Sequence, residues 1–148
     1  MSIDVEAARP GDGPAIGAIL SDWIDETSWM PRIHTKEQDL SHGSWLIEVC
    51  DVFVVRDQGH VAGFLARQGG DIQALYVANE ARRSGIGSAL IHRAMADLDM
   101  LELWTFQANH AAVQFYGRLG FAEDRRGDGS ENDEKLPDIH MIWQRDET

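Results

Sequence analysis

Two arginines and two glycines in Arg82-Arg83-Ser84-Gly85-Ile86-Gly87-Ser88, just downstream of the apolar run Leu75-Tyr76-Val77, are the residues of this chain best placed to do chemistry. The pattern reads as a strand running into a glycine turn that opens a helix. The first four N–H groups of an α-helix have no intrahelical partner, and the macrodipole puts partial positive charge at the same end. The turn before Ile86 can therefore hold phosphate oxygens through backbone alone. Gly85 and Gly87 let the main chain approach an anion closely, while Arg82 and Arg83 add side-chain charge. A pyrophosphate is the expected ligand; on these residues alone, an ordinary strand-to-helix loop with an exposed basic pair is the alternative. A Walker-type loop needs Lys-Ser or Lys-Thr after its last glycine, where this chain has Ser88-Ala89. The dinucleotide fingerprint needs a third glycine where Leu90 stands.

The elements that position this turn follow from hydrophobic periodicity. Ile3 to Ala7 alternates as a short half-buried strand, ended by Pro10-Gly11-Asp12-Gly13. Ile16, Ile19, Leu20, Trp23 and Ile24 recur at helical spacing, giving a first helix that runs out near residues 27–31. Thr35 with Gln38 has capping-box spacing and predicts a second helix from Lys36. Residues 52–55 and 61–65 form a hairpin about Asp57-Gln58-Gly59, and 71–77 is the next strand. Ile86, Leu90, Ala94 and Leu98 predict a helix over 86–98, and 101–107 a buried strand, together a right-handed βαβ unit with two parallel strands. A short helix over Ala111 to Leu119 closes at Gly120, Phe121 restarts a strand, and 139–143 is the last one. The order β-α-α-β-β-β-α-β-α-β-β predicts an α/β fold of the α+β type, a mixed sheet with helices on both faces.

A length of 148 residues with 43% hydrophobic content suits one well-buried core, so residues 1–148 are read as a single domain. No apolar run approaches eighteen residues and the start lacks the layout of a signal peptide, which predicts a soluble cytoplasmic protein without a membrane partner. A net charge of −12 argues against nucleic acid and favours cationic partners. The lone Cys50, after Ile47-Glu48-Val49 at what reads as the edge of a buried segment, is a small core residue rather than a nucleophile. The six histidines are scattered without metal-ligand spacing, so no metal site is expected.

Arg82-x-x-Gly85-x-Gly87 after Leu75-Tyr76-Val77, then Asn109 followed by Ala112, Phe115-Tyr116 and Gly120-Phe121, resembles the GCN5-related N-acetyltransferase (GNAT) superfamily over nearly the whole chain. More narrowly, Met30-Pro31-Arg32-x-His34-Thr35, Trp104 to Asn109, and Asp128-Gly129 with Asn132 and Pro137-Asp138 are similar to a branch of small bacterial members. The resemblance implies a single N-acetyltransferase domain that uses acetyl-CoA, without a metal, and transfers directly to a primary amine. Residues Arg82, Arg83, Ser84, Gly85, Ile86, Gly87 and Ser88 would hold the pyrophosphate. Backbone N–H of Leu75, Tyr76 or Val77 would stabilise the oxyanion, and the strand would splay from 101–107 to admit the pantetheine arm. Tyr116 matches the family's general acid, with a core aromatic beside Phe115 as the alternative. Asn109 matches the residue on the pantetheine side, and is a helix N-cap regardless.

The acceptor implied is a small cationic amine such as a polyamine, amino sugar or amino acid, with a protein N-terminus or lysine second. An alkyl ammonium has a pKa of about 10.4, so reaching the neutral nucleophile at pH 7 costs about 4.6 kcal/mol. Gln73 stands where several relatives place a glutamate base; His34, in the loop between the first two helices, is the candidate substitute. Alternatively, His34 and Arg32 hold that loop by hydrogen bonds. Glu131, Glu134 and Asp138 face a cationic acceptor from the other side or form a solvated acidic turn. A non-catalytic CoA-binding sensor is the rival reading, and dimerisation through the terminal strands is left open.

Overall fold

The computed structural model describes residues 3–146. The chain runs β1 (Glu6–Ala7), α1 (Gly13–Glu26), α2 (Lys36–Val49), β2 (Asp51–Asp57), β3 (His60–Gln68), β4 (Asp71–Val77), α3 (Ile86–Met95), β5 (Met100–Phe106), α4 (His110–Arg118), β6 (Ala122–Gly127) and β7 (Asp138–Gln144). This is the order expected from periodicity. The seven strands form one sheet in the order β1-β2-β3-β4-β5-β7-β6. Every neighbouring pair is antiparallel except β4 with β5.

Alternation along β2 sends successive side chains to opposite faces and so builds two cores. Val52 and Val54 join Phe64 and Ala66 under Ile16, Ile19 and Leu46 of α1 and α2. Phe53 and Val55 join Leu65, Leu101 and Leu103 under Leu90, Ile91 and Ala94 of α3. The first helix pair is packed at backbone distance. A Cβ on Gly17 would stand 2.3 Å from the Asp39 carbonyl oxygen and one on Gly43 2.1 Å from that of Gly13, so neither position accepts a side chain. The Thr35 capping box is present, with Gln38 N donating to Thr35 Oγ1 at 3.2 Å and Thr35 N donating to Gln38 Oε1 at 2.8 Å.

Four boundaries differ from the periodicity. The first strand pairs only at Glu6–Ala7, although Ile3 and Val5 still pack on the larger core. Residues 47–49, read as the edge of a buried segment, are the last turn of α2, leaving Cys50 half-buried with its thiol pushed up by burial. β6 begins at Ala122, one residue after Phe121. α3 stops at Met95 instead of Leu98, because Arg67 reaches across from β3. Its Nη1 donates to the Ala94 carbonyl and its Nη2 to Asp97 Oδ2, both at 2.8 Å. This cation satisfies an orphan carbonyl and complements the negative end of the helix dipole. Among the described residues no helix is long and apolar enough to cross a membrane, and no group of three or more His, Cys, Asp or Glu is placed to hold a metal.

Candidate active site

β4 and β5 pair only at Asp71↔Glu102 and Ile72↔Leu103 and then separate. Each keeps its other neighbour. β4 stays on β3 through Gly63↔Val77, and β5 stays on β7 through Phe106↔Asp138. A wedge-shaped cleft therefore opens between Leu75–Val77 and Thr105–Phe106. Ala78 N donates to Ala62 O on β3 at 2.8 Å. Strand alternation then turns the N–H groups of Val77 and Leu75 the other way, into the cleft, where an oxyanion can meet them.

On one side of the wedge lies a cavity of about 490 Å³ running from Leu75–Val77 over the start of α3 to Phe115 and Tyr116 of α4. Its floor is the glycine turn. Arg83 and Gly85 take left-handed backbone (φ +66° and +88°), folding the chain sharply ahead of Ile86. The first helical bond runs from Ala89 N to Gly85 O at 3.0 Å, so the amides of Ile86, Gly87 and Ser88 precede it and are free for an anion. A Cβ on Gly87 would meet Phe115 Cζ at 3.2 Å, which keeps this wall bare. Ser84 does not line the cavity; its hydroxyl donates to Ala81 O and braces the turn.

The two arginines have different tasks. Arg82 donates from Nε to Val77 O at 3.1 Å and from Nη2 to Glu26 Oε1 at 2.9 Å, so its charge is already paired. Arg83 lines the same cavity and makes no hydrogen bond or ion pair among the described residues. Both arginines expected to meet a pyrophosphate line the larger cavity; Arg83 faces it without a charge partner, while Arg82 is also tied to Val77 O and Glu26.

On the other side of the wedge is a narrow cavity of about 120 Å³ bounded by Gln73, Trp104, Thr105, Phe106 and Asn109. Trp23, Leu75, Tyr76, Ala112 and Tyr116 line both cavities, so the two meet at the wedge. Tyr116 is 8% exposed and is held edge-on between Phe115 and Phe121, with ring centroids 5.2 and 5.5 Å away. Burial raises its pKa above the ordinary tyrosine value, with the neighbouring Tyr76 hydroxyl adding to the rise. It stays protonated at any working pH. Tyr76 is pushed up to about 12 by burial and by the Glu134 carboxylate. Asn109 Oδ1 accepts from Ala112 N at 3.1 Å, the expected N-cap, while the residue borders the narrow cavity.

An aromatic series closes the narrow side. Tyr76 packs on Trp23 at 5.2 Å, Trp23 on Trp29 at 5.8 Å, and Trp29 on Phe106 at 5.8 Å. The sequence hides this series because its members come from α1, the following loop, β4 and β5. Arg32 fixes the loop: it donates to Asp25 Oδ1, to the carbonyl and hydroxyl of Ser21, to Asp39 Oδ2 and to His34 O. His34 contributes that carbonyl, is exposed, and lines neither cavity. Glu131 lies on a separate groove beyond Trp104, and Asp138 accepts from Asn132 Nδ2 at 3.1 Å. Among the described residues no carboxylate or imidazole lines the two cavities that meet at Tyr116.

Residues 48–123 match the family described as the acetyltransferase (GNAT) domain. The chain is 25% identical over 144 residues to the peptidyl-lysine N-acetyltransferase YjaB of Salmonella typhimurium, covering 97% of this chain and 99% of the relative. The solution structure of apo YjaB from Escherichia coli superimposes with a TM-score of 0.80 at 20% identity, covering 99% of this chain and 100% of that one. The structure of YncA from Salmonella typhimurium with its cofactor acetyl-CoA superimposes with a TM-score of 0.76 at 18% identity, covering 100% of this chain and 96% of that one.

Proposed function

Since this chain belongs to the GCN5-related N-acetyltransferase (GNAT) family, acyltransferases whose cosubstrate is acetyl-CoA, we propose that it moves the acetyl group directly to the ε-amine of a lysine in a polypeptide. The observation that carries this reading is the meeting of two unequal cavities at Tyr116. The larger, at about 490 Å³, has the size of a cofactor site and a floor of unpaired amides for a pyrophosphate. Leu75 and Val77 would bond the pantetheine arm along the open edge of β4 and Arg83 would face the phosphates, while Asn109, expected on the pantetheine side, borders only the narrow cavity.

The size of the narrow cavity supports a slender acceptor. At about 120 Å³ it has room for roughly four water-sized groups, the scale of an unbranched alkylamine. Its aromatic lining suits an alkyl stem and attracts an ammonium at its end. A lysine side chain and a linear polyamine both satisfy these limits; the name of the full-length relative, a peptidyl-lysine N-acetyltransferase, favours lysine.

Chemistry at the wedge divides among these groups. The neutral amine attacks the thioester carbonyl, whose developing oxyanion accepts from a β4 N–H. As the C–S bond breaks, Tyr116 donates its proton to the departing thiolate and is reprotonated, through water, by the proton that the attacking nitrogen gives up once the C–N bond has formed. In water that donation is uphill by about 2 kcal/mol, given pKa values near 10 and 8.5. Burial raises the tyrosine further but equally disfavours a thiolate in the same apolar pocket, so the gap does not widen in proportion. With no basic side chain on the cavity walls, the ammonium proton leaves through water rather than through His34.

The experiment is acetyl transfer to a lysine peptide and to spermidine, read by CoA release and by the mass of the product. Acetylated lysine supports the reading; turnover on spermidine alone replaces the acceptor while keeping the enzyme.

A further inference from the structure

Tyr76 and Tyr116 approach the wedge from opposite faces of the sheet. Leu75 and Val77 pack on the core under α3, to which Tyr116 of α4 also belongs. Strand alternation sends Tyr76 the other way, with Ala74, to the core under α1 and α2. In an unbroken sheet the backbone ladder would stand between the two rings. β4 and β5 pair no further than Ile72↔Leu103, so at Tyr76 the ladder is open and both tyrosines line both cavities.

Neither hydroxyl is used by the fold. Interior tyrosine hydroxyls normally find a partner. Among the described residues neither of these makes a hydrogen bond, and Arg67 Nε is the buried side-chain nitrogen or oxygen left without one. The two phenol oxygens are therefore not sealed in a core but open on the cavities. Their rings are fixed all the same. Tyr76 packs against Trp23 and Phe64 at 5.2 and 5.9 Å, as Tyr116 does against Phe115 and Phe121. Packing of this kind aims a hydroxyl without a hydrogen bond to hold it.

The reaction leaves one proton to be moved across the wedge. Tyr116 has given its own to the thiolate, and the attacking nitrogen carries a surplus proton once the C–N bond has formed. Among the described residues no carboxylate or imidazole lines either cavity to take it. Tyr76 does not take it as a phenolate, because burial and the Glu134 carboxylate push its pKa up to about 12. A neutral phenol can still pass a proton, since its oxygen accepts one as its own O–H proton leaves.

Resting on acetyl transfer with Tyr116 as the donor, we propose that Tyr76 is a second catalytic tyrosine, the protein group that carries the proton from the attacking nitrogen back to Tyr116. The nitrogen loses a proton to the Tyr76 oxygen. Tyr76 gives its own, through water, to the Tyr116 phenolate, which becomes a phenol again. Atoms and charges balance: a neutral amine and a thioester give an amide and a thiol, with both tyrosines restored.

The test compares Tyr76→Phe, Tyr116→Phe and the double variant, using acetyl-CoA and whichever of the lysine peptide and spermidine the enzyme acetylates. Each change removes one hydroxyl and keeps the ring. Tyr76→Phe is expected to lower kcat about tenfold, with acetyl-CoA affinity and the acceptor KM unchanged. The double variant should be no slower than Tyr116→Phe, because a relay has nothing to serve once its terminus is gone. A merely structural Tyr76 would instead move KM or the affinity, and its loss would multiply with that of Tyr116. Wild-type turnover of Tyr76→Phe, or a double variant slowed by the product of the two single losses, overturns this inference alone. Wild-type turnover of Tyr116→Phe overturns the donor reading together with it.

Discussion

Arg82 on the glycine turn and Glu26 at the last position of α1 are joined by an ion pair of 2.9 Å across 56 residues of sequence. The same guanidinium holds the Val77 carbonyl at 3.1 Å. One side chain thereby connects the glycine turn, β4 and the helix that carries Trp23 into the cleft. The two cavities that meet at Tyr116 are built on a common strut.

That relationship separates the two arginines experimentally. Arg83→Ala removes only a charge facing the cavity, so acetyl-CoA binding should weaken about three- to fivefold, and less at high salt. Arg82→Ala removes the strut. It should weaken acetyl-CoA binding with little salt dependence and also raise KM for the acceptor. Calorimetric titration at two salt concentrations, paired with acceptor kinetics, distinguishes them.

The pH profile tests the route of the amine proton. If it leaves through water, kcat/KM should rise about tenfold per pH unit from 6 towards 9, following the neutral fraction of an amine with a pKa of about 10.4. A side-chain general base titrating near neutrality would instead level the profile off before about pH 9. The alkaline limb is set by Tyr116, whose raised pKa keeps it protonated beyond the ordinary tyrosine range, so no fall is expected below pH 10.

Acid stability has its own signature at Asp12. Its carboxylate accepts from both terminal nitrogens of Arg56, at 3.0 and 2.7 Å, and from Arg9 N at 2.7 Å. The Arg56 pairing is the main cause holding its pKa below the usual 3.8. A depressed carboxylate contributes stability above its unfolded pKa and loses it as pH falls through the folded value, so the loss lies below about pH 4. Asp12→Asn should lower unfolding free energy by about 1 kcal/mol at pH 7, and the difference from the wild type should shrink as pH falls below about 4 and through the lowered folded value, as read by urea denaturation.

How much of this was legible in the sequence depended on range. The 71–77 strand, the helix start at Ile86 and the Thr35 capping box were readable because each is written in adjacent residues. The C-terminus of α3 was not, since Leu98 continues the apolar spacing and the Arg67 cap arrives from 27 residues away. At the site, the glycine turn was readable from adjacent residues, while Tyr116 and Asn109 were singled out only by the family resemblance; both border the cavities. The tie of Arg82 to Glu26 and the Trp23–Trp29–Phe106 series were invisible, because they join residues that only the sheet brings together. His34 was singled out for its titration range, and the loop held by Arg32 keeps it off both cavities.

The account rests most heavily on Tyr116 as the proton donor at the junction of the two cavities. The direct measurement is kcat and acetyl-CoA affinity of Tyr116→Phe on a lysine peptide, which removes one hydroxyl and keeps the aromatic packing against Phe115 and Phe121. A fall in kcat of about 100-fold or more with affinity unchanged is the predicted result. Turnover equal to that of the wild type would contradict it and leave Tyr116 a packing residue.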